Sequence, residues 1–351
     1  MMKTLPICSE RQKMKIAVIS VTTAGDKISD KIKKHFPIDL YSKNNVEDFK
    51  LKDAAENAMS NYKAVVFISS TGIAVRAIAS LIKSKDKDPA VVVIDSSCKF
   101  VISLLSGHLG GANELTCKLA SILKAVPVIT TATDNIGVKA PDVFAKENGL
   151  IINDLKDAKY IAALLVEGKK VGFIDEDKLR DVPKGYSSNL DNIQGLLCVT
   201  NKCKAFYGGN FKNIKTLKLI RKNIVLGIGC RKNFDFQQMI ETVKKLLLDY
   251  NIDERAVKYI STVEIKAKEE AILKLAEYFK CDLKIYSIED IKKVHHNYKG
   301  SDFVEKTIGV RAVCEPCTEL TGASLITDKI KANGMTLCIG EVHKKIVNCA
   351  L

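Results

Sequence analysis

Tryptophan is absent from the 351 residues, and aromatic residues of all kinds make up only 6%. No RNA-binding aromatic signature and no zinc-finger pattern can be found. No apolar run approaches the roughly 20 residues of a membrane-spanning helix. The opening residues, MMKTLPICSERQK, are basic and lack a continuous apolar core or small-residue cleavage site, so no secretory signal is expected. Residues 1–13 read as a loose leader, because the first strand-like run starts at Met14. No GK[ST] follows the glycine-rich turns, which excludes a Walker motif. No nucleotide signature for a methyl donor is present, and no internal repeat or low-complexity tract interrupts the chain. These absences exclude membrane spans, nucleotide-driven motors and repeat arrays.

What is present is an ordinary globular composition. A hydrophobic fraction of 46% argues against disorder, and 351 residues predict two or three domains. The eleven cysteines are scattered, odd in number and mostly set in apolar runs. That pattern suits free thiols in a reducing cytoplasm better than a disulfide framework, so a cytoplasmic location is expected. Cys314 and Cys317 have CxxC spacing, but no second pair and no nearby HxxxH accompany them. No metal site is therefore expected. His295 and His296 are adjacent, and neighbours in sequence do not share a helix face. The formal charge is +14, from 55 basic and 41 acidic residues. Such an excess favours an anionic partner: nucleic acid, an anionic membrane or a polyanionic small molecule. The lysines are spread along the chain, which reads equally well as solvated faces.

Hydrophobic patterning gives the organisation. Lys15–Thr22, Ala64–Ser69, Ala90–Asp95 and Val126–Thr131 are short β-branched runs alternating with helix-like stretches. Ile73–Ile82 reads as a helix apolar nearly all round, hence buried. Leu115, Leu119, Ile122 and Leu123 have helical spacing, while Phe100–Leu105 could be a strand or a helix end. Between 145 and 222 the signal weakens to one helix around Ile161–Leu165, strands at Lys170–Ile174 and Leu196–Thr200, and a turn at Tyr207–Asn210. A new α/β unit starts near Asn223, with strands at Ile224–Ile228, Tyr259–Ile265 and Asp282–Tyr286 and helices at Phe236–Leu247 and Glu269–Phe279. Ser301 is a candidate N-cap, and Asn333-Gly334 is a strong hairpin-turn signal. The expected fold is α/β: two α/β domains with mainly parallel sheets, at 14–144 and 223–351, joined by a small middle domain at 145–222.

Four stretches could carry chemistry. In Ser69–Arg76 a strand gives way to a helix, and Thr71 and Gly72 could present backbone N–H groups to an anion. Arg76 is the lone charge in that helix. In Ser106–Glu114 three glycines, Gly107, Gly110 and Gly111, let the backbone approach a ligand, with His108, Asn113 and Glu114 as polar groups. In Gly227–Lys232, Arg231 could hold a carboxylate bidentately beside Gly229 and Lys232, and Cys230 reads more readily as a buried thiol than as a nucleophile. In Gly309–Leu320, Glu315 could be a partly desolvated acid or base, or a helix N-terminal carboxylate.

In this order the four stretches resemble the cobalt-precorrin-5A hydrolase family (CbiG-like) of the anaerobic cobalamin pathway. STGIAVRAIA at 70–79, SGHLGGAN at 106–113, PVITTATD at 127–134, GIGCRK at 227–232 and VEKTIGVRAVCEPCTEL at 304–320 carry the match. The chain departs from the family at CEPCTEL, where small apolar residues more often surround the glutamate. The resemblance implies a hydrolase that opens the ring A acetate δ-lactone of a cobalt corrinoid. Acetaldehyde then leaves and cobalt-precorrin-5B remains. It implies His108 and Glu315 as proton-transfer groups and Gly110-Gly111 N–H groups as oxyanion donors. The substrate contacts would be Thr71, Gly72, Arg76, Ser106, Gly107, Gly110, Gly111, Asn113, Glu114, Gly229, Cys230 and Arg231. The simplest geometry places the site between the terminal domains. Cobalt arrives inside the substrate and water is the co-substrate, so no cofactor or protein metal is implied. Nucleic acid and membrane are not expected partners; a homodimer, or hand-off to other corrin-pathway enzymes, is. The competing reading is a non-catalytic corrinoid-binding protein, which would need no proton-transfer pair.

Overall fold

The computed structural model describes residues 3–5, 15–84, 87–204, 211 and 214–342. Two compact units account for the fold: one takes in Arg11–Lys146, the other Glu147–Leu164 and the chain from Gly168 onward, with the N-terminal strand. That strand, β1 (Lys3–Leu5), pairs antiparallel with residues 283–285. The expected leader is therefore not loose throughout: three of its residues extend a sheet edge.

The first unit is built on β2 (Ile16–Ser20), α1 (Thr23–Lys33), β3 (Ile38–Tyr41), α2 (Leu51–Asn61), β4 (Ala64–Ile68), α3 (Thr71–Ile78), β5 (Ala90–Ile94), β6 (Phe100–Leu105), α4 (Ala112–Leu123), β7 (Val126–Val128), α5 (Ala132–Asn135) and α6 (Pro141–Glu147). Its sheet has the order β3-β2-β4-β5-β6-β7. Ile16 and Val18 pack on one face with Ile28, Ile32, Leu115 and Leu119. Ala17 and Ile19 pack on the other with Ala54, Ala58, Ala74 and Ile78. Successive strand residues thus enter opposite cores, which is why these strands are continuously apolar. Only one face of α3 is buried: Ala74 and Ile78 face the sheet, while Val75 is 44% exposed. The expected all-round burial of that helix fails because it covers the sheet from outside and, among the described residues, its outer face at Val75 is left uncovered.

Strands β2 to β5 are parallel, but β6 runs antiparallel to β5, and β7 is parallel to β6. The ambiguous run Phe100–Leu105 is therefore a strand, and it reverses the sheet's direction. The segments after β6 and β7 emerge at the edge where β5 begins, not where β4 and β5 end.

The second unit holds two sheets. β8 (Ile151–Ile152), α7 (Leu155–Val166), β9 (Val171–Asp175), β10 (Gly195–Thr200) and β11 (Lys215–Ile220) give a four-stranded sheet, ordered β8-β11-β10-β9 with β9, β10 and β11 parallel. The expected turn at Tyr207–Asn210 lies outside the described residues. The rest is β12 (Ile224–Cys230), α8 (Phe236–Asp249), β13 (Val257–Val263), α9 (Glu270–Tyr278), β14 (Asp282–Tyr286), α10 (Ile288–Lys292), α11 (Asp302–Ile308), α12 (Cys314–Glu319), β15 (Ser324–Leu325), β16 (Ile330–Ala332) and β17 (Met335–Glu341). Its sheet runs β1-β14-β13-β12-β17-β15, with β16 also on β17; β12, β13 and β14 are parallel. The three sheets are mixed and mostly parallel, as the α/β expectation required.

Asn333 and Gly334 both have positive φ and close the β16–β17 hairpin, with Ala332 opposite Met335. Ser301 does precede α11, but its side chain makes no cap bond. Its backbone N–H instead donates to the Arg311 carbonyl.

The two sheets of the second unit are tied by buried charge. Arg221 donates to both Asp175 and Asp177. Asn201 and Asn223 donate to Glu341 at 2.7 and 2.6 Å, and Lys218 meets Asp253 at 2.8 Å. Buried ions of this kind require partners, since an unpaired one costs several kcal/mol, about 3–5.

Candidate active site

The SGHLGGAN turn leaves β6 in a tight reversal. Ser106 has positive φ, and a Cβ on Gly110 would lie 2.4 Å from the Ser106 Cβ and 2.8 Å from its carbonyl oxygen. Gly111, at φ 89°, enters α4 from the left-handed region. Glycine is therefore demanded by the chain's own path at both positions. The Gly111 N–H is donated to the His108 carbonyl, and the N–H groups of Ala112 and Asn113 return to Ser106 and Gly107.

This turn delivers His108 into a pair of carboxylates. Its Nε2 lies 3.1 Å from Asp134 Oδ2 and its Nδ1 3.3 Å from Asp142 Oδ1. A carboxylate only accepts, so engaging both ring nitrogens this way requires the doubly protonated ring. The hydrogen bond that His108 donates to Asp142 pushes the imidazole pKa up; burial opposes it, and Asp134 adds to the rise. Asp142 is pushed down: burial would raise it, but the bond and charge of His108 and backbone N–H groups outweigh that. Asn113 is fully engaged as well. Its Oδ1 accepts from Ser103 at 2.6 Å, and its Nδ2 donates to Thr131 Oγ1 at 3.0 Å and Asp134 Oδ2 at 2.9 Å. Glu114 points elsewhere, into an exposed pair with Lys118 at 2.6 Å that lowers its pKa.

Thr71, Gly72 and Arg76 are not part of this group. They follow β4, at the opposite edge of the same sheet, because β6 runs backwards. Five strand residues separate the two edges by roughly 15 Å. Arg76 is exposed, with Nη1 3.4 Å from the Gly72 carbonyl in its own helix.

The second unit carries a cleft of about 1410 Å³ at the carboxyl ends of β12 and β13. Gly229, Cys230, Arg231 and Lys232 line it, as the GIGCRK turn suggested. So do Lys266, Lys268, Arg311, Lys329 and Lys331, which raises the cations to seven against three carboxylates, Asp235, Glu269 and Glu270. Phe236, Ile265 and Ile308 add apolar surface. Among the described residues, Arg231, Lys232, Lys268 and Lys331 have no ion pair. Lys266, Arg311 and Lys329 do: Lys266 Nζ is 3.0 Å from Glu269 Oε2, Arg311 Nε is 3.6 Å from Glu305 Oε2, and Lys329 Nζ is 3.9 Å from Glu315 Oε1. Burial pushes the Cys230 thiol up to about 11, so it is protonated at neutral pH.

Glu315 sits behind this cleft rather than on its wall. Helix α12 presses against β12 and β17 at two glycines. A Cβ on Gly227 would meet the Cys314 carbonyl oxygen at 2.0 Å, and one on Gly340 would meet Thr318 Cγ2 at 2.4 Å. This contact buries Glu315 to 4% exposure, with its Oε2 accepting from Cys314 Sγ at 3.1 Å. Cys317 is fully buried and its thiol is pushed up by desolvation. Among the described residues no three His, Cys, Asp or Glu side chains are placed to hold a metal ion.

Sequence reasoning missed Asp134 and Asp142 beside His108, and Lys266, Lys268, Arg311, Lys329 and Lys331 in the cleft. Asp134 could have been found: it ends the PVITTATD segment, one turn beyond the strand that parallels β6.

Comparison with known proteins gives a consistent result. Three family profiles match in sequence order: cobalamin synthesis G N-terminal over residues 53–134, cobalamin biosynthesis central region over 139–208, and cobalamin synthesis G C-terminus over 224–340. The cobalt-precorrin-5A hydrolase of Salmonella typhimurium is 32% identical over 352 residues, covering 93% of this chain and 98% of that one. The cobalt-precorrin-5A hydrolase of Priestia megaterium is 31% identical and covers 80% of this chain and 79% of its own. A probable cobalt-precorrin-5A hydrolase of Methanocaldococcus jannaschii is 30% identical, covering 93% and 98%.

Proposed function

The chain belongs to the CbiG family of cobalamin synthesis, and from that membership we propose how it works as a cobalt-precorrin-5A hydrolase. The observation that carries the reading is the cleft of the second unit, where seven cations face three carboxylates. A corrinoid bearing acetate and propionate side chains is a polyanion with an apolar macrocycle. It matches both the charge and the apolar surface of that cleft. Arg231, Lys232, Lys268 and Lys331 hold peripheral carboxylates, Arg231 with a planar fork suited to bidentate contact.

The reaction is lactone hydrolysis followed by fragmentation. Water attacks the acyl carbon of the ring A δ-lactone, and the tetrahedral oxyanion collapses with cleavage of the acyl C–O bond. The water oxygen stays in the new acetate carboxylate. The released alcohol loses its proton, its C–O becomes C=O, and the adjacent C–C bond breaks. The electron pair passes into the conjugated macrocycle, which takes up a proton, and acetaldehyde leaves. Cobalt belongs to the substrate. His108, whose imidazole pKa is raised by Asp142 and Asp134, is the proton donor of the first unit. Glu315 takes part from behind the cleft wall.

No helix among the described residues is long and apolar enough to cross a membrane. Nine free cysteines among those residues support a reducing, cytoplasmic setting. The expected assembly is a homodimer, or direct hand-off to neighbouring corrin-pathway enzymes. The test is turnover of cobalt-precorrin-5A in heavy-oxygen water, read by mass spectrometry of the corrinoid. The label is expected in the corrinoid product; a product without it overturns acyl attack by water.

A further inference from the structure

The cations of the cleft fall into two classes, and the division deepens the reading of this cleft as the corrinoid site, on which it rests. Arg231 and Lys331 carry no ion pair among the described residues. Lys329 is anchored twice: Nζ donates to the Lys299 carbonyl at 3.0 Å and lies 3.9 Å from Glu315 Oε1. Its side chain is only 16% exposed, yet it lines the cleft. An ammonium has three donors, and at 3.9 Å the carboxylate attracts without taking one. Two N–H groups therefore remain for the cleft. Glu315 cannot turn away to water, because glycines at 227 and 340 let α12 sit directly on the sheet.

A cation partly neutralised by a fixed carboxylate gains little from a resident anion, which the four cations lacking an ion pair bind better. It remains useful where charge develops on a group that is neutral in the ground state. The lactone carbonyl is such a group, and a donor already held in place needs no reorganisation as the oxyanion forms. We propose that Lys329 is the catalytic donor to the lactone oxyanion, and that Glu315 is its positioning residue and does not exchange protons with the substrate.

The test compares Lys329→Met, Lys331→Met, Lys266→Met and Glu315→Gln in the full-length protein. It reads kcat and KM for acetaldehyde release, and Kd from the corrinoid's absorption change. Lys329→Met is expected to lower kcat by about 100-fold, with Kd changed less than threefold. Lys331→Met is expected to do the reverse, raising Kd and KM about tenfold with kcat kept. Glu315→Gln should lower kcat no more than Lys329→Met does, and the double variant should be no slower than Lys329→Met alone. Multiplying effects in the double variant would show Glu315 acting on its own and overturn the proposal. So would a Lys329→Met effect confined to Kd, or a large kcat loss in Lys266→Met but not in Lys329→Met. If Glu315→Gln does not fold, Glu315→Asp takes its place, under the same requirement in the double variant. Should Lys331→Met and Arg231→Met both leave Kd unchanged, it is the cleft reading that fails. If they weaken binding while Lys329→Met retains full kcat, only this proposal fails.

Discussion

The turn around His108 and the cleft behind Arg231 both gather polar side chains where strands end, yet they dispose of them differently. Around His108 the groups satisfy one another: both ring nitrogens, both ends of the Asn113 amide and the Asp134 carboxylate are engaged. In the cleft four of seven cations have no ion pair among the described residues. A group that already has its partners is held in one geometry, with its proton in a defined place. A group without them is available to a ligand. The first arrangement suits proton delivery, and the second suits capture of a polyanion.

The largest effect that could break this contrast is on His108. His108→Gln is expected to lower kcat by about 10²–10⁴, the usual range for a positioned proton-transfer group. Steady-state acetaldehyde release measures it, and an unchanged kcat would reduce the cluster to a structural device. Next comes Lys218→Met, which strips Asp253 of one of its cations. Asp253 is held down at about 2: burial would raise it, but Arg255 and Lys218 prevail. Leaving that buried carboxylate short of a partner should cost about 1–3 kcal/mol in denaturant melts at neutral pH. Because its folded pKa is depressed, the stabilisation is complete above the unfolded value of 3.8 and is lost as pH falls toward about 2. The difference between wild type and variant should therefore shrink over that window.

Smaller is the pH response of the His108 clamp. Its folded pKa is raised, so its contribution is complete below the unfolded value of 6.5 and is lost as pH rises through the folded pKa. Asp142, being depressed, contributes above 3.8 and loses its contribution on further acidification through its folded pKa. Asp142→Asn should move the alkaline limb of kcat to lower pH. An unmoved limb would separate His108 from the titration. The smallest effect belongs to Glu114→Gln. It removes one exposed pair, so stability should change by less than about 0.5 kcal/mol and KM should stay constant. A raised KM would restore Glu114 as a substrate contact.

Much of the fold was legible because most of the strands are covered on both faces. β2, β4, β5 and β12 read as unbroken apolar runs since alternate residues enter opposite cores. β11 was missed because KTLKLI mixes lysines into the pattern of a less completely buried strand. The direction of β6 could not be read at all, because parallel and antiparallel pairing use the same residues. That single reversal puts STGIAVR and SGHLGGAN at opposite edges of one sheet, although the sequence had grouped them as substrate contacts. His108 stood out by its glycine-rich turn, but Asp134 is 26 residues away and reaches it only through the β6–α4–β7 crossover. In the cleft, GIGCRK announced Arg231 and Lys232, whereas Lys329 and Lys331 arrive on the β16 side of a hairpin. Glu315 drew attention as an isolated acid. What places it behind the cleft is the pair of glycines at 227 and 340, one of them 88 residues away in sequence, which no local pattern connects to it.

As a cobalt-precorrin-5A hydrolase, this chain should open the corrinoid lactone. Incubating the purified full-length protein with cobalt-precorrin-5A, and measuring acetaldehyde alongside the corrinoid, tests it most directly. One acetaldehyde should be released per corrinoid consumed, with the lactone opened. A corrinoid that binds, remains a lactone and yields no acetaldehyde would contradict it.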